Sequence, residues 1–432
     1  MPALPPSPRA PVPPAALQAR ALVVLCMLNH TALSGSRVAV SLSALALGGS
    51  AFQVGLLIAT FSLLPTLGSV ALGRWVDHHG TRLPALAGMA AMSAGLLLPL
   101  VQLTPAALWL TAALVGGGYS AALLALQSQL GRLPDPARRA RGFSGFALGT
   151  ALSGSLGPLV AGQCLSLAGA PATFAVLAGI GLAAAAGLVL GRSGLAGQGH
   201  AASGTPQSRL PLRRLLQQPL LRRIVLLDLL MAVAWNANSF MVPLHGTQQG
   251  WPAASVGQLL ALFGAAVMLV RTVPASWRQR LGDWQAIRIA LASSALCFLL
   301  FPWADRFAVA LLLEFVLGLG LGGALPSVLG LLHTHAPPGH DGEVLGLRLV
   351  VLNVSAIALP IGLGGLGAAL GLTRVMVALG AALSLGAARP PPRQGPVDRS
   401  TRPPRWRSIS GARCRPGSGR VVTGFDKEGP AR

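Results

Sequence analysis

Residues Gly73 to Arg82 read GRWVDHHGTR, a short polar stretch with a single acid between two long apolar runs. Ala51 to Leu72 before it carries no charged side chain over 22 residues, and Leu83 to Leu108 after it carries none over 26. An uncharged apolar run of about 18 residues or more can cross a ~30 Å hydrocarbon core as a helix. Gly73 to Arg82 is therefore expected to be a tight turn between two membrane spans.

Composition points the same way. Of the 432 residues, 53% are hydrophobic and only 10% are charged, too few polar side chains to cover a soluble body of this size. The net charge of +22 suggests nucleic acid in a soluble chain, but here the arginines collect in particular loops and form no aromatic-interleaved patch. They read as topology, and no nucleic-acid partner is expected. Cys26, Cys164 and Cys297 lie in apolar runs and Cys414 in a polar tail, a spacing that suggests neither a disulfide framework nor a zinc site.

Hydropathy places spans near residues 20–47, 51–72, 83–103, 106–130, 143–167 and 171–191, and again near 224–245, 253–274, 285–303, 307–332, 344–370 and 372–388. This predicts an all-α membrane protein of about twelve helices in two bundles, 19–191 and 224–388. Between them, residues 192–223 carry Gly194, Gly197, Gly199, Pro206 and Pro211 with Arg209, Arg213, Arg214, Arg222 and Arg223, the composition of a flexible basic linker. Arg74, Arg82, Arg132, Arg138, Arg139, Arg141, Arg278, Arg280 and Arg288 share the linker's side of the membrane, and the opposite loops hold only Arg306 and Arg374. By the positive-inside rule both termini and the linker are cytoplasmic. Residues 1–18 contain seven prolines and no signal-peptide pattern, and read as a disordered leader. The last helix is expected to be short. The tail 389–432 holds ten arginines and one lysine against three acids, and reads either as a natural basic tail near anionic lipid or as an out-of-frame ending.

Asp77 with Gly73, Gly80 and Arg82 resembles the signature between the second and third helices of the major facilitator superfamily, G-x-x-x-D-R-x-G-R-R, although His78 and Thr81 replace two basic positions. Two six-helix halves joined by a basic linker are that family's plan. In helix 5, Gly149, Gly154, Gly157, Pro158 and Gly162 resemble the G-x-x-x-G-P-x-x-G-G motif of its drug-exporting branches, with displaced flanking glycines. Helix 4 lacks the arginine that many proton-coupled members carry. The resemblance implies a bacterial-type inner-membrane secondary transporter, most like drug-efflux members and working as a monomer by alternating access. It also implies that Asp77 reaches the start of helix 11 near Glu343 to Leu345 as a latch; the alternative is that Asp77 caps helix 3.

Charges inside the bilayer cost roughly 2.5–3.5 kcal/mol each even on the lenient scale, so each is a functional candidate. Arg37 lies near the middle of helix 1, Asp228 about two turns into helix 7, and Glu314 about two turns into helix 10. The resemblance places helices 1, 4, 7 and 10 around the central cavity, and helix 4 carries Tyr119, the chain's single tyrosine. His30, Ser34, Arg37 and Ser41 share one helical stripe, as do Asp228, Trp235 and Ser239, with Asn236 beside them. These polar groups either line a cavity or hold helix to helix. Asp228 and Glu314 are the candidate proton carriers. Arg37 either holds one of them ionised or clamps an anionic substrate. Arg271 and Arg348, near helix ends, are expected to snorkel toward lipid phosphates. His333, His335, His340, Asp341 and Glu343 fall in an expected loop without a recognisable ligand spacing, so no metal is expected.

No G-x-x-x-x-G-K-S/T segment is present, so transport would draw on a gradient, with no cofactor. The leading expectation is proton-coupled export of small amphipathic or drug-like compounds. The alternative is proton-linked uptake of a small, possibly anionic metabolite. An intramembrane enzyme would need a paired catalytic set and a sensor a sizeable soluble domain, and neither is evident.

Overall fold

The computed structural model describes residues 15–133, 135–190, 217–273, 281–337 and 340–388. Residues 1–14 of the expected leader, Gly191 at the expected end of the first bundle, linker residues 192–216, Arg278 and Arg280, Pro338 and Gly339, and the tail 389–432 lie outside the described residues. Among those described, every regular element is helical. The N-terminal half comprises α1 (Ala15–Ala46), α2 (Ala51–His79), α3 (Arg82–Val101), α4 (Pro105–Gly131) and the stretch Pro136–Leu190. That stretch breaks at Gly169, where φ 77° and ψ −178° are open to glycine but costly for other residues. The break separates α5 (136–168) from α6 (170–190). The C-terminal half comprises α7 (Pro219–Gln248), α8 (Ala253–Thr272), α9 (Asp283–Leu300), α10 (Phe307–His335), α11 (Asp341–Leu370) and α12 (Leu372–Ala388).

The helix starts follow local chemistry. Ser50 opens α2 with a capping box: its Oγ accepts from Gln53 N–H at 3.3 Å, and Gln53 Oε1 accepts from Ser50 N–H at 2.8 Å. Thr104 Oγ1 accepts from Ala107 N–H at 3.2 Å ahead of α4. Pro219 sits in the first turn of α7, where a missing N–H costs nothing. Consequently α7 takes in the last five positions of the expected linker, and α1 starts at Ala15, inside the expected leader.

Nine of these helices, and the 55-residue α5–α6 stretch, are long and apolar enough to cross a membrane, and α12 is a shorter apolar helix of 17 residues. At 1.5 Å per residue α12 spans about 26 Å, at the lower limit for a crossing. Large apolar side chains stand fully outward on the bundle, including Val101 at 90% exposure and Leu167 at 83%. Lipid is the solvent in which such a surface is stable.

The halves meet where α2 packs on α11 and α5 packs on α8, with α1 also touching α7. Glycines make the first two contacts possible. A Cβ on Gly55 of α2 would collide with the Pro360 carbonyl of α11, and one on Gly364 would lie 2.8 Å from the Ala51 carbonyl. On the other seam, a Cβ on Gly162 would lie 2.6 Å from the Ala253 carbonyl, and one on Gly257 2.5 Å from the Pro158 carbonyl. Ala254 N–H also donates to Ser166 Oγ at 2.7 Å. These backbone-close contacts lie toward the end of the bundle that carries the α1–α2 turn, so the halves are sealed there.

The opposite end carries the α2–α3 turn. Gly80 closes α2 at φ 74° and is followed by Thr81, which is completely buried and donates from Oγ1 to Gln129 Oε1 of α4 at 3.1 Å. The family's basic position is thus occupied by a residue inside the packing. Asp77 is exposed, as are Arg74 and Arg82, and among the described residues Asp77 forms no hydrogen bond or ion pair. The start of α3 has Thr81 as its cap residue with no side-chain cap bond, so Asp77 does not cap that helix. The expected turn from Gly73 to Arg82 is thus shorter than the sequence suggests: residues Gly73 to His79 continue α2, Arg82 opens α3, and the connection is confined to Gly80 and Thr81, with the Asp77 carboxylate unengaged on the last turns of α2.

Candidate functional site

Between the halves lies a cavity with two lobes. The larger, about 410 Å³, is bounded by α1, α2, α7, α8, α10 and α11, and the smaller, about 250 Å³, by α1, α5, α7 and α8. Arg37, Trp235 and Arg271 line both, so these three side chains form the seam.

The stripe on α1 does face this space. His30, Ser34 and Arg37 line the smaller lobe. Ser34 Oγ donates to the Ser153 carbonyl of α5 at 2.9 Å, tying the stripe to the neighbouring helix, whereas Ser41 turns away, is buried and donates to the Arg37 carbonyl at 2.8 Å. The Arg37 guanidinium lies 5.7 Å from the centre of the Phe61 ring, a cation–π distance. Its Nε is shut off from solvent without a hydrogen-bond partner, and no carboxylate pairs with it among the described residues. Tyr119 stands behind the lining: its ring is 5.8 Å from that of His30, and its carbonyl accepts from Asn29 Nδ2 at 3.5 Å.

From α7, Trp235 and Ser239 face the smaller lobe, and Asp228, Trp235 and Asn236 face the larger. Trp235 packs edge-on against Phe263 of α8, with ring centres 4.9 Å apart, giving the cavity an aromatic wall. Asn236 Nδ2 donates to the Ala232 carbonyl at 3.0 Å.

The partner of Asp228 is Arg348 of α11. Nε lies 2.9 Å from Oδ2, an ion-pair distance without hydrogen-bond alignment, and Nη2 donates to Oδ1 at 3.4 Å, with side-chain exposures of 13% and 4% for the arginine and the acid. This corrects two expectations. Arg37 is not the counter-ion of Asp228, and Arg348 does not snorkel. Arg348 is seven residues into α11 and Asp228 nine into α7, both rising from the same end, so both side chains start at a depth of roughly 10–14 Å and meet. Arg271 is likewise a cavity residue. It occupies the last turn of α8, and helical side chains lean toward their own N-terminus, which here lies across the membrane. Its side chain therefore reaches inward, where Nη1 donates to the Ala147 carbonyl of α5 at 3.3 Å.

Glu314 lies elsewhere. It lines neither lobe, is completely buried, and accepts from Asn238 Nδ2 at 3.0 Å between α10 and α7. Two residues that sequence reasoning missed, Asn353 and Ser62, complete the polar lining of the larger lobe. Asn353 is five residues beyond Arg348 on α11, about 140° around the helix, so the two share no sequence stripe and only the packing of α11 brings both to the lobe.

The glycine–proline segment of α5 forms a triple junction. Gly154 lies beside His30, where an added Cβ would stand 3.9 Å from the imidazole Cε1, and Gly157 packs so closely on α1 that a Cβ would collide with Ser34 Oγ. Pro158 and Gly162 face α8 as described above. At the far end of α10, His333 and His335 belong to its last turn and Glu343 to the first turn of α11, so the expected histidine-rich loop is largely helix end. His340 Nδ1 is 3.1 Å from Glu343 Oε2.

A family model described as Major Facilitator Superfamily matches residues 22–360. The chain belongs to the major facilitator superfamily. Among curated proteins, none matches its sequence. Solved structures share the facilitator fold. A POT family transporter in complex with a thioalcohol-conjugated peptide superimposes with TM-score 0.72 at 13% identity, over 85% of this chain and 94% of that one. The nucleoside transporter NupG gives 0.66 at 18% identity, over 86% and 98%. A bacterial homologue of the human lysosomal transporter Spinster, in an inward-facing unoccupied conformation, gives 0.69 at 14% identity, over 88% and 96%. At these identities the likeness establishes the fold of this facilitator-superfamily membrane protein, and the cavity's own residues must carry any further argument.

Proposed function

We propose that the chain is a proton-coupled secondary transporter of a small molecule, working by alternating access about the central cavity, with Asp228 and Arg348 as the coupling site. The observation that carries this reading is the nearly buried Asp228–Arg348 pair in the cavity wall, joining two helices of the C-terminal half. A carboxylate there exchanges a proton for its contact with the guanidinium, so its charge and the position of Arg348 change together. Arg348 lines the same lobe, so the exchange alters what an occupant meets. The cavity is complete within one chain, which supports a monomer.

With both termini in the cytoplasm of a bacterial-type inner membrane, the sealed end faces outward and the cavity belongs to a cytoplasm-open state. The unengaged Asp77 suits that state, since its latch partner on α11 would close the cytoplasmic side. Proton-linked export and proton-linked uptake share this machinery, and the Trp235–Phe263 wall supports an amphipathic cargo in either direction. The close α5–α8 contact around Pro158 and Gly162 supports α5 as a sliding element.

The test is transport in proteoliposomes, with and without an imposed proton gradient, over a panel of organic anions, drug-like cations and short peptides. At least one compound is expected to accumulate with the gradient and equilibrate without it. Absence of gradient dependence for every transported compound overturns proton coupling.

A further inference from the structure

We infer that the cargo is a small organic carboxylate, its anionic group held by Arg37 and its apolar body lying against Trp235; this rests on the transporter reading and names the substrate class of the same cavity. The charges lining the two lobes are unequal. Arg37, Arg271 and Arg348 stand against a single acid, Asp228, and that acid is taken by Arg348. Two guanidinium groups therefore remain uncompensated in the space between the halves.

Their surroundings do not supply the missing charge. Arg37 has the face of Phe61 and a solvent-excluded Nε without a hydrogen-bond partner. Arg271 spends one bond on a backbone carbonyl. Glu314, the other acid away from helix ends, is completely buried against Asn238 and lines neither lobe. An arginine cannot escape the cost of burial by losing its proton, so a cation held at this depth calls for an anion. A carboxylate matches the planar guanidinium fork and would satisfy the orphaned Nε.

The rest of the occupant is read from the wall. Trp235 lines both lobes beside the two arginines and is braced edge-on by Phe263, so a flat apolar body is covered while its charge reaches Arg37. The larger lobe, at about 410 Å³, falls in the range of sites for compact organic molecules.

The experiment uses the full-length protein in nanodiscs and three probes with one ring system and different charge: indole-3-acetate, indole-3-acetamide and tryptamine. Thermal stabilisation is titrated for each. The anion is expected to act at a concentration about tenfold lower than the amide, and the amine to have no effect. Arg37→Ala removes the preference for the anion and Arg37→Lys retains part of it, the lysine variant keeping the comparison available if the alanine variant does not fold. Equal stabilisation by amide and anion, stabilisation by the amine alone, or no response to the anion overturns the inference. Counterflow of labelled indole-3-acetate in proteoliposomes separates this from the transport reading. Binding without exchange contradicts transport and leaves the anion site standing, while exchange of tryptamine but not of the anion contradicts the anion site and leaves transport standing.

Discussion

Arg348 of α11 and Asp228 of α7 face each other in the cavity wall with Nε 2.9 Å from Oδ2, at 13% and 4% side-chain exposure. Removing one member of a buried pair costs about 3–5 kcal/mol, because the other is left charged and alone. The two halves of this pair are not equivalent. Aspartate can take up a proton, whereas arginine keeps its charge. Asp228→Asn is therefore expected to lower stability more than Arg348→Gln, and the double substitution to recover much of the loss. Thermal unfolding of the three variants in nanodiscs measures this; additive losses in the double variant would show that the two side chains are not coupled.

Glu314 provides the control for proton coupling. It is sealed from both lobes and has a neutral donor, Asn238, as its partner. Glu314→Gln is expected to retain gradient-driven accumulation at near wild-type rates, whereas Asp228→Asn loses accumulation. Loss of coupling in the Glu314 variant alone would transfer the proton site from the cavity wall to the α7–α10 interface.

The two ends of the bundle are expected to respond oppositely. A side chain at Gly55 collides with the Pro360 carbonyl, so Gly55→Val wedges α2 from α11 at the sealed end and raises outward accessibility. Gly73 at the other end of α2 has nothing within 4 Å of an added Cβ, so Gly73→Ala leaves accessibility unchanged and gains about 0.5–1 kcal/mol of helix propensity. Asp77→Asn, by weakening the proposed latch, lowers outward accessibility. Cysteine labelling from each side of the membrane reads all three, and identical labelling of the Asp77 variant and the wild type would remove the latch.

Thr81 stands where the family signature has a basic residue, yet it is completely buried and bonded to Gln129. Thr81→Arg, which restores the family residue, is accordingly expected to destabilise the N-terminal half by about 1–3 kcal/mol, through overpacking and the loss of that bond. An unchanged melting temperature would show that the α2–α3 turn can open to admit the longer side chain.

Much of this architecture was legible in the chain because the bilayer imposes a long apolar period that neighbouring contacts cannot disguise. The existence of an α2–α3 connection, the break near Gly169 and the polar stripe from His30 to Arg37 could be read from the sequence, but the connection's length could not: residues Gly73 to His79 continue α2, and only Gly80 and Thr81 make the turn. The pairing of Asp228 with Arg348 was not, although both acid and base interrupt apolar runs. It depends on two helices 120 residues apart in sequence presenting those positions at one depth and toward each other. Arg271 differs from its expectation for a related reason: its backbone lies near a helix end, while its side chain leans the other way, into the cavity. Glu314 looked equivalent to Asp228 in sequence, and helix rotation alone separates a cavity acid from a packed one.

The most direct test of the account is infrared difference spectroscopy of the purified protein through a pH titration, following the carbonyl band of buried carboxylic acids. It needs no knowledge of the cargo. A titrating band is expected that disappears in Asp228→Asn and persists in Glu314→Gln. A band that is unchanged in Asp228→Asn would contradict the assignment of Asp228 as the proton-carrying group.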